Sequence, residues 1–135
     1  MPGRPHDLPV PTVSVLLGQG ADGAALALLP AACVLAAQHA WLAPLAHEGA
    51  SAIVYRDTGR APELAERQGI SSAALAADGI IDHVIAESPA NPDRFCRDIG
   101  HALHRALVDL AGQDDETRLA ERLHRYRRLG MPPIG

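Results

Sequence analysis

The sequence predicts an α/β fold in which short strands alternate with helices. Residues 12–17 form a β-branched and leucine-rich run that is typical of a buried strand. A glycine-containing stretch at 18–24 then leads into an alanine-rich segment that is typical of a helix. Towards the C-terminus, apolar residues recur at helical spacing over 93–111 and 115–129. Because the chain has 135 residues, we expect these elements to share one hydrophobic core.

Proline, glycine and serine mark the boundaries of the predicted elements. Pro30 ends the first helix, since proline lacks the N–H that a helix needs and clashes with the preceding turn. Pro62 opens a later helix and Gly69 ends it, and Ser71 or Ser72 is the expected N-cap of the next one. The predicted strands are 12–17, 32–37, 40–43 and 80–85. The predicted helices are 24–29, 48–56, 62–68, 72–78, 93–111 and 115–129, after a proline-rich lead at 1–11.

Composition and charge narrow the functional classes. Hydrophobic residues make up 47% of the chain but aromatic ones only 3%, so the core must consist mainly of Ala, Leu, Val and Ile. The formal net charge of -4 argues against a nucleic-acid partner. No stretch approaches the roughly 18 uninterrupted apolar residues of a membrane span, and the N-terminus lacks the apolar core of a signal peptide. We therefore expect a cytoplasmic protein with no membrane contact.

The positions of cysteine and histidine predict no metal site. Cys33 and Cys96 have neither zinc-site nor redox spacing, and we expect both to be small apolar core residues. His101 and His104 stand three residues apart on a predicted helix, but no ligand-rich segment accompanies them.

The last predicted helix has one apolar face and many arginines. Leu119, Leu123 and Tyr126 recur at helical spacing on one face, and we expect this face to cover other apolar surface, for which the core of this chain offers limited area. The arginines form either a solvated face paired with nearby acids or a docking surface for a partner subunit or an acidic carrier domain. They are Arg118, Arg122, Arg125, Arg127 and Arg128.

The glycine pattern G-x-G-x-x-G stands at Gly18, Gly20 and Gly23. A strand, a glycine-rich turn and a helix start together present free backbone N–H groups to an anion. A dinucleotide fold is disfavoured, because Pro30 shortens the helix and no Asp or Glu stands between Gly23 and Glu48. We interpret the loop as a set of backbone donors for a developing oxyanion. A turn that needs glycine only for its dihedral angles stays the alternative.

Four segments carry further motifs in a fixed order. They are P-T-V-S-V-L-L-G-Q-G-A-D-G-A-A-L-A-L (11–28), L-A-H-E-G-A-S-A-I-V-Y-R-D (45–57), A-P-E-L-A-E-R-Q-G-I-S-S-A-A-L-A-A-D-G-I-I-D-H-V-I-A-E (61–87) and R-L-H-R-Y-R-R-L-G (122–130). In this order they resemble the carboxyltransferase component of acyl-CoA carboxylases, in particular its α-subunit-like half. The chain departs from the family pattern at four positions. Ala21 and Ala24 stand where the family usually has glycine, Gln19 stands where it often has Glu, and His47 stands where it often has Pro.

The resemblance implies a partial crotonase-like β-β-α superhelix with two C-terminal helices. Residues 12–135 would form the C-terminal part of a carboxyltransferase domain. It also implies that the amides of Gly23, Ala24 and Ala25 donate to the ureido oxygen of biotin. The expected biotin-side residues are Gly18, Gly20, Glu48 and Gly49. Glu48 is equally explained as an acid in the first turn of a helix. Tyr55 and Arg56 match the family's aromatic-basic pair. A half-buried Tyr beside a surface Arg, without a role in the site, is the alternative explanation.

The resemblance further implies which molecules take part in the reaction. No cofactor is expected to be covalently bound, and carboxybiotin on a biotin carboxyl carrier protein and an acyl-CoA would be the substrates. A second carboxyltransferase half would complete the enzyme in a homo- or hetero-oligomer. The leading interpretation is a fragment or subunit of an acetyl-CoA or propionyl-CoA carboxylase in fatty-acid biosynthesis, inactive without its missing half. A biotin-independent malonyl-type decarboxylase subunit and a non-catalytic remnant or assembly module stay open as alternatives.

Overall fold

Five short strands form two parallel sheets. The computed structural model describes residues 8–43 and 47–127, with the backbone alone at residues 22 and 47–49. The larger sheet has the order β1-β3-β5, with strands β1 (Val13–Leu16), β3 (Cys33–Ala37) and β5 (His83–Ile85). The smaller sheet pairs β2 (Gln19–Ala21) with β4 (Trp41–Ala43).

The two sheets are built by a repeated strand–strand–helix unit. The first unit is β1, β2 and the helix α1 (Asp22–Leu28), and the second is β3, β4 and the helix α2 (His47–Tyr55). In each unit the first strand enters the larger sheet and the second strand enters the smaller one. This is the β-β-α arrangement that the sequence resemblance implied.

Four more helices follow, and local side-chain contacts define where they begin and end. They are α3 (Ala61–Gln68), α4 (Ser72–Ala77), α5 (Pro92–Ala111) and α6 (Asp115–Arg127). Helix α3 ends at Gly69, which has a left-handed φ of 61°. Ser71 caps α4 because its Oγ accepts from the Ala74 amide at 3.2 Å. Asn91 caps α5 in the same way, accepting from the Arg94 amide at 3.0 Å.

The core lies on both faces of β3, whose residues are all buried. On one face, Val34 and Ala36 pack with Leu75 and Ile81, and Ala25 of α1 lies against this cluster. On the other face, a second cluster includes residues of β3, β5 and α5, namely Cys33, Leu35, Ile85, Leu110, Ile99 and Leu103. Helices α1 and α5 therefore cover opposite faces of the larger sheet. None of the helices in the described ranges is long and apolar enough to cross a membrane.

Several predicted elements differ from the structure. The predicted loop at 18–24 contains the strand β2, and α1 begins at residue 22 rather than 24. The predicted strand at 80–85 shortens to His83–Ile85. Cys33 is buried as expected, but Cys96 is exposed on α5 and does not belong to the core.

The largest difference concerns the orientation of α6. Arg118 and Arg122 point inward and are 4% and 2% exposed, whereas Leu123 is 36% exposed. The Arg118 guanidinium donates to the carbonyls of Leu110, Gln113 and Pro9 at 2.5, 2.7 and 2.7 Å, and it also contacts Asp115.

The Arg122 guanidinium donates to the carbonyls of Leu8 and Val10 at 3.2 and 3.5 Å. Both buried arginines therefore hold the segment that enters β1. Of the predicted apolar face, Leu119 and Tyr126 are half-buried and Leu123 is exposed. The interpretation of the arginines as a solvated face is wrong for Arg118 and Arg122. Arg128 lies outside the described residues.

Candidate active site

The candidate site is the first turn of α1, which follows β2 without a connecting loop. Ala21 is extended, with φ -130° and ψ 159°, and its methyl side chain cannot accept a hydrogen bond from the helix. The first amides of the helix have no intrahelical acceptor and no acceptor from the N-cap side chain. Gly23 and Ala24 are exposed, whereas Ala25 is half-buried against the core. The structure thus places the predicted donors Gly23 and Ala24 in a helix start that faces outward. Ala25 is the fourth residue of α1, so its amide lies opposite the Ala21 carbonyl within the helix and is not a free donor.

The glycines of the pattern have different surroundings. A Cβ at Gly20 would lie 2.8 Å from Leu42 Cδ1, 2.9 Å from Leu16 Cδ1 and 3.3 Å from the Trp41 carbonyl oxygen. Gly20 is therefore required for β2 to pack between its neighbours. A Cβ at Gly18 or Gly23 would meet no atom within 4 Å.

The starts of α1 and α2 lie at the same edge of the smaller sheet. Strands β2 and β4 are parallel, and Ala21 is the register partner of Ala43. Helix α1 begins directly after Ala21, and α2 begins four residues after Ala43. Glu48 and Gly49 therefore fall in the first turn of α2. The side chain of Glu48 lies outside the described atoms.

Tyr55 and Arg56 end α2 and belong to a separate surface cluster. Tyr55 is half-buried, and its hydroxyl accepts from Arg67 Nη1 at 2.7 Å. The Arg60 guanidinium lies 4.2 Å from the centre of the Tyr55 ring. Arg56 is exposed and has a left-handed φ of 54°. These contacts agree with the simpler interpretation of a half-buried Tyr beside a surface Arg.

Two residues of α6, Arg125 and Tyr126, bond to the end of α1 and to the segment that follows it. The Tyr126 hydroxyl donates to the carbonyl of Leu29, the C-cap residue of α1, at 2.7 Å. Arg125 binds both carboxylate oxygens of Asp82 at 2.8 and 2.7 Å and donates to the carbonyl of Ala32 at 3.3 Å. The sequence pointed to Tyr126 by its helical spacing and to Arg125 as one of the arginines of this helix, but it gave neither residue a contact with α1.

A cleft of about 710 Å³ lies between β5 and α5, on the face of the sheet opposite α1. Its lining includes Cys33, Asp82, His101, Arg105 and Asp109. Burial, followed by the negative charge of Asp82, raises the pKa of the Cys33 thiol to about 11. At neutral pH this thiol is protonated and is not a nucleophile. Among the residues described, no group of three His, Cys, Asp or Glu side chains is placed to hold a metal ion.

Solved structures share this architecture. One is transcarboxylase 12S, whose structure is a hexamer assembly with methylmalonyl-coenzyme A and methylmalonic acid bound. It matches at a TM-score of 0.64 and 25% identity, over 80% of this chain and 21% of that one. A Pseudomonas malonate decarboxylase in complex with coenzyme A matches at a TM-score of 0.61 and 22% identity, over 88% of this chain and 51% of that one. The fold is crotonase-like, as predicted.

Sequence comparison then defines the family. Residues 4–130 match the sequence family described as acetyl co-enzyme A carboxylase carboxyltransferase-like. A probable biotin-dependent acyl-coenzyme A carboxylase beta3 subunit of Mycobacterium tuberculosis is 52% identical, over 93% of this chain and 26% of that protein. The acetyl-coenzyme A carboxylase carboxyl transferase subunit alpha of Rubrobacter xylanophilus is 36% identical, over 91% of this chain and 40% of that protein. The chain belongs to the acetyl-CoA carboxylase carboxyltransferase family, and it spans less than half the length of these two relatives.

Proposed function

We propose that this chain supplies the biotin-side part of an acyl-CoA carboxyltransferase. The observation that carries the proposal is the outward-facing first turn of α1, where the amides of Gly23 and Ala24 follow an alanine N-cap. The substrates would be carboxybiotin, presented by a biotin carboxyl carrier protein, and an acyl-CoA. The reaction would be transfer of the carboxyl group to the acyl-CoA, as in the supply of malonyl-CoA for fatty-acid synthesis.

The chemistry of this transfer matches a site made of backbone donors. Loss of the carboxyl group leaves negative charge on the ureido oxygen of biotin, and the resulting base can take the α-proton of the acyl-CoA itself. Amides fixed where charge develops stabilise it without reorganisation, and one such donor contributes roughly 2.7–4 kcal/mol in other enzymes. Gly23 and Ala24 would provide these donors, whereas the predicted third donor, Ala25, is half-buried and its amide belongs to the helix. Gly18, Glu48 and Gly49 would shape the biotin side, while Gly20 sets the packing of β2.

We further propose that the active enzyme needs a second carboxyltransferase half. Strands β1 and β2 each have one strand partner among the described residues, so one edge of each sheet stays open. Apolar side chains next to this edge are exposed: Leu17 by 59%, Leu26 by 40% and Leu28 by 71%. Preceding strand–strand–helix units, on a longer chain or a partner subunit, would pair with these edges and cover the leucines. The free thiols Cys33 and Cys96 support a cytoplasmic location.

Reconstitution tests the proposal. The chain is mixed with a complementary N-terminal carboxyltransferase half from its relatives, and carboxyl transfer from carboxybiotin to acetyl-CoA or propionyl-CoA is measured. We expect activity from the mixture and none from the chain alone, whose mass by light scattering should exceed that of a monomer. Decarboxylation of malonyl-CoA without biotin would instead favour the decarboxylase subunit. A mixture that associates but turns over neither substrate would favour the assembly module.

A matched pair of variants tests the site itself. Gly23→Val places a branched side chain in front of the donors, and Gly100→Val makes the same change on α5, where a Cβ also meets no atom within 4 Å. We expect Gly23→Val to lower turnover by about 100-fold or more, the loss seen when one oxyanion donor is removed. Gly100→Val should keep wild-type turnover. Equal activity in the two variants would assign Gly23 to chain geometry alone.

A further inference from the structure

The C-terminal end of α1 is held by side chains from two distant elements. The Ser14 hydroxyl of β1 donates to the Leu28 carbonyl at 2.5 Å, and the Tyr126 hydroxyl of α6 donates to the Leu29 carbonyl at 2.7 Å. The last carbonyls of a helix have no intrahelical donor, and the Ser14 hydroxyl satisfies that of Leu28. The Leu29 carbonyl accepts from the Ala31 amide at 2.6 Å as well as from Tyr126, so Tyr126 adds a second hydrogen bond that comes from a distant element. Helix α1 has no basic residue in its last turn that could serve the same purpose.

A second connection fixes the turn that follows α1. Arg125 donates to the Ala32 carbonyl at 3.3 Å and forms a two-point ion pair with Asp82, with distances of 2.8 and 2.7 Å. Asp82 Oδ2 also accepts from the Val34 amide at 2.8 Å, which ties the carboxylate to the central strand β3. The planar guanidinium and the carboxylate define each other's orientation, because both hydrogen bonds must be satisfied together.

These contacts act on a helix that is short and stiff. Helix α1 has seven residues, so its two ends are separated by about 10 Å of regular backbone. A shift at Leu29 is therefore transmitted to the first turn, where Gly23 and Ala24 lie. Because donor amides must match a developing charge closely, a displacement of about 1 Å can cost roughly 100-fold in rate.

We infer that Arg125 and Tyr126 are positioning residues that set the place of α1, and through it the donor amides of Gly23 and Ala24. The inference rests on the proposed function for its catalytic consequence, but the contacts themselves can be tested without it. Burial raises the pKa of Tyr126, so its phenol keeps the proton that it donates throughout the range of ordinary assays.

The first measurement is amide hydrogen exchange on the purified chain. The amides to follow are those of residues 26–29, at the end of α1 and its C-cap, because they can bond to carbonyls within the helix. We expect Tyr126→Phe, which removes one hydroxyl, to raise their exchange rates about 2- to 10-fold. Tyr55→Phe is the matched control, because its hydroxyl bonds to Arg67 and not to α1. Arg125→Gln, which keeps one donor but loses the two-point ion pair, should also raise exchange at these amides.

The second measurement is steady-state kinetics of the reconstituted enzyme. We expect Tyr126→Phe to lower kcat about tenfold or more while KM for the acyl-CoA stays within about twofold, since the acyl-CoA would bind elsewhere. Arg127→Gln on the exposed side of α6 should match the wild type. Unchanged exchange, or unchanged kcat in an active enzyme, would overturn the inference. If wild-type reconstitution yields no activity, the proposed function fails and hydrogen exchange alone decides whether α6 holds α1.

Discussion

Replacing Cys33 by alanine should make the stability of the protein less sensitive to alkaline pH. Cys33 begins β3, is 9% exposed and packs beside Leu35, Ile85 and Leu110. Burial is the main reason that its pKa rises from 9.0 to about 11, and the charge of Asp82 and a hydrogen bond to it raise the pKa further. The folded protein thus keeps a proton that the unfolded chain loses above pH 9.

The magnitude follows from the two pKa values. Since the pKa of the folded state is the higher one, the contribution of the thiol to stability is fully present below pH 9 and is lost as the pH rises towards 11. At pH 10 the unfolded thiol is about 90% ionised and the folded one about 10%, which corresponds to a loss of about 1.4 kcal/mol. The complete loss above pH 11 is about 2.7 kcal/mol.

Urea unfolding at pH 8 and pH 10 measures this effect. The free energy of unfolding of the wild type should fall by about 1.4 kcal/mol more than that of Cys33→Ala between the two values. Any cavity left by the substitution acts at both pH values and cancels in the difference. Cys96→Ala, which removes an exposed thiol, should retain the wild-type difference. An equal fall in wild type and Cys33→Ala would refute the assignment of a buried, protonated thiol.

Two further substitutions test the packing on which the site depends. For both, the free energy of unfolding is measured with urea or by heating. Gly20→Ala should lower the free energy of unfolding by about 1–3 kcal/mol, because its Cβ would lie within 3 Å of two leucine methyl groups. Gly100→Ala should be neutral or stabilising, and equal effects would contradict the packing role of Gly20. Arg118→Met should cost about 3 kcal/mol, since the carbonyls of Gln113 and Pro9 lose the guanidinium donor, whereas that of Leu110 keeps the Gln113 amide at 3.3 Å. Arg127→Met is exposed and should stay within about 0.5 kcal/mol of the wild type.

Most of the strands and helices were predictable because local patterns specify them. The apolar runs at β1 and β3 and the helical spacing of α5 each match the structure within a few residues. Strand β2 was missed because its sequence, Q-G-A, has no strand preference of its own. It is a strand because it pairs with β4, which is a tertiary contact that no local window contains.

The orientation of α6 could not be predicted from periodicity. The usual rule places apolar residues inward, and Leu119, Leu123 and Tyr126 satisfied it. The structure half-buries Leu119 and Tyr126 but buries Arg118 and Arg122 more completely, because backbone carbonyls of a distant segment accept their hydrogen bonds. A buried cation is stable only with such acceptors, and their positions depend on the complete fold.

The location of the candidate site was predictable, but the role of each residue was not. The glycine pattern and the resemblance both predicted donors at the start of the first helix. The pattern treated its three glycines alike, and only the structure separates Gly20, which packs, from Gly23, which faces open space. The contribution of Tyr126 rests on a carbonyl 97 residues away along the chain, so spacing within the sequence could not reveal it.

The two buried arginines also determine the order in which the protein can fold as it is synthesised. Arg118 and Arg122 bond to carbonyls that lie 109, 112 and 114 residues earlier in the chain. The segment that leads into β1 therefore leaves the ribosome long before its partners do. Until α6 follows, those carbonyls stay hydrated and the first strand lacks its final support. Folding of the β-β-α units can begin during translation, but the docking of this first segment must wait until α6 has been synthesised.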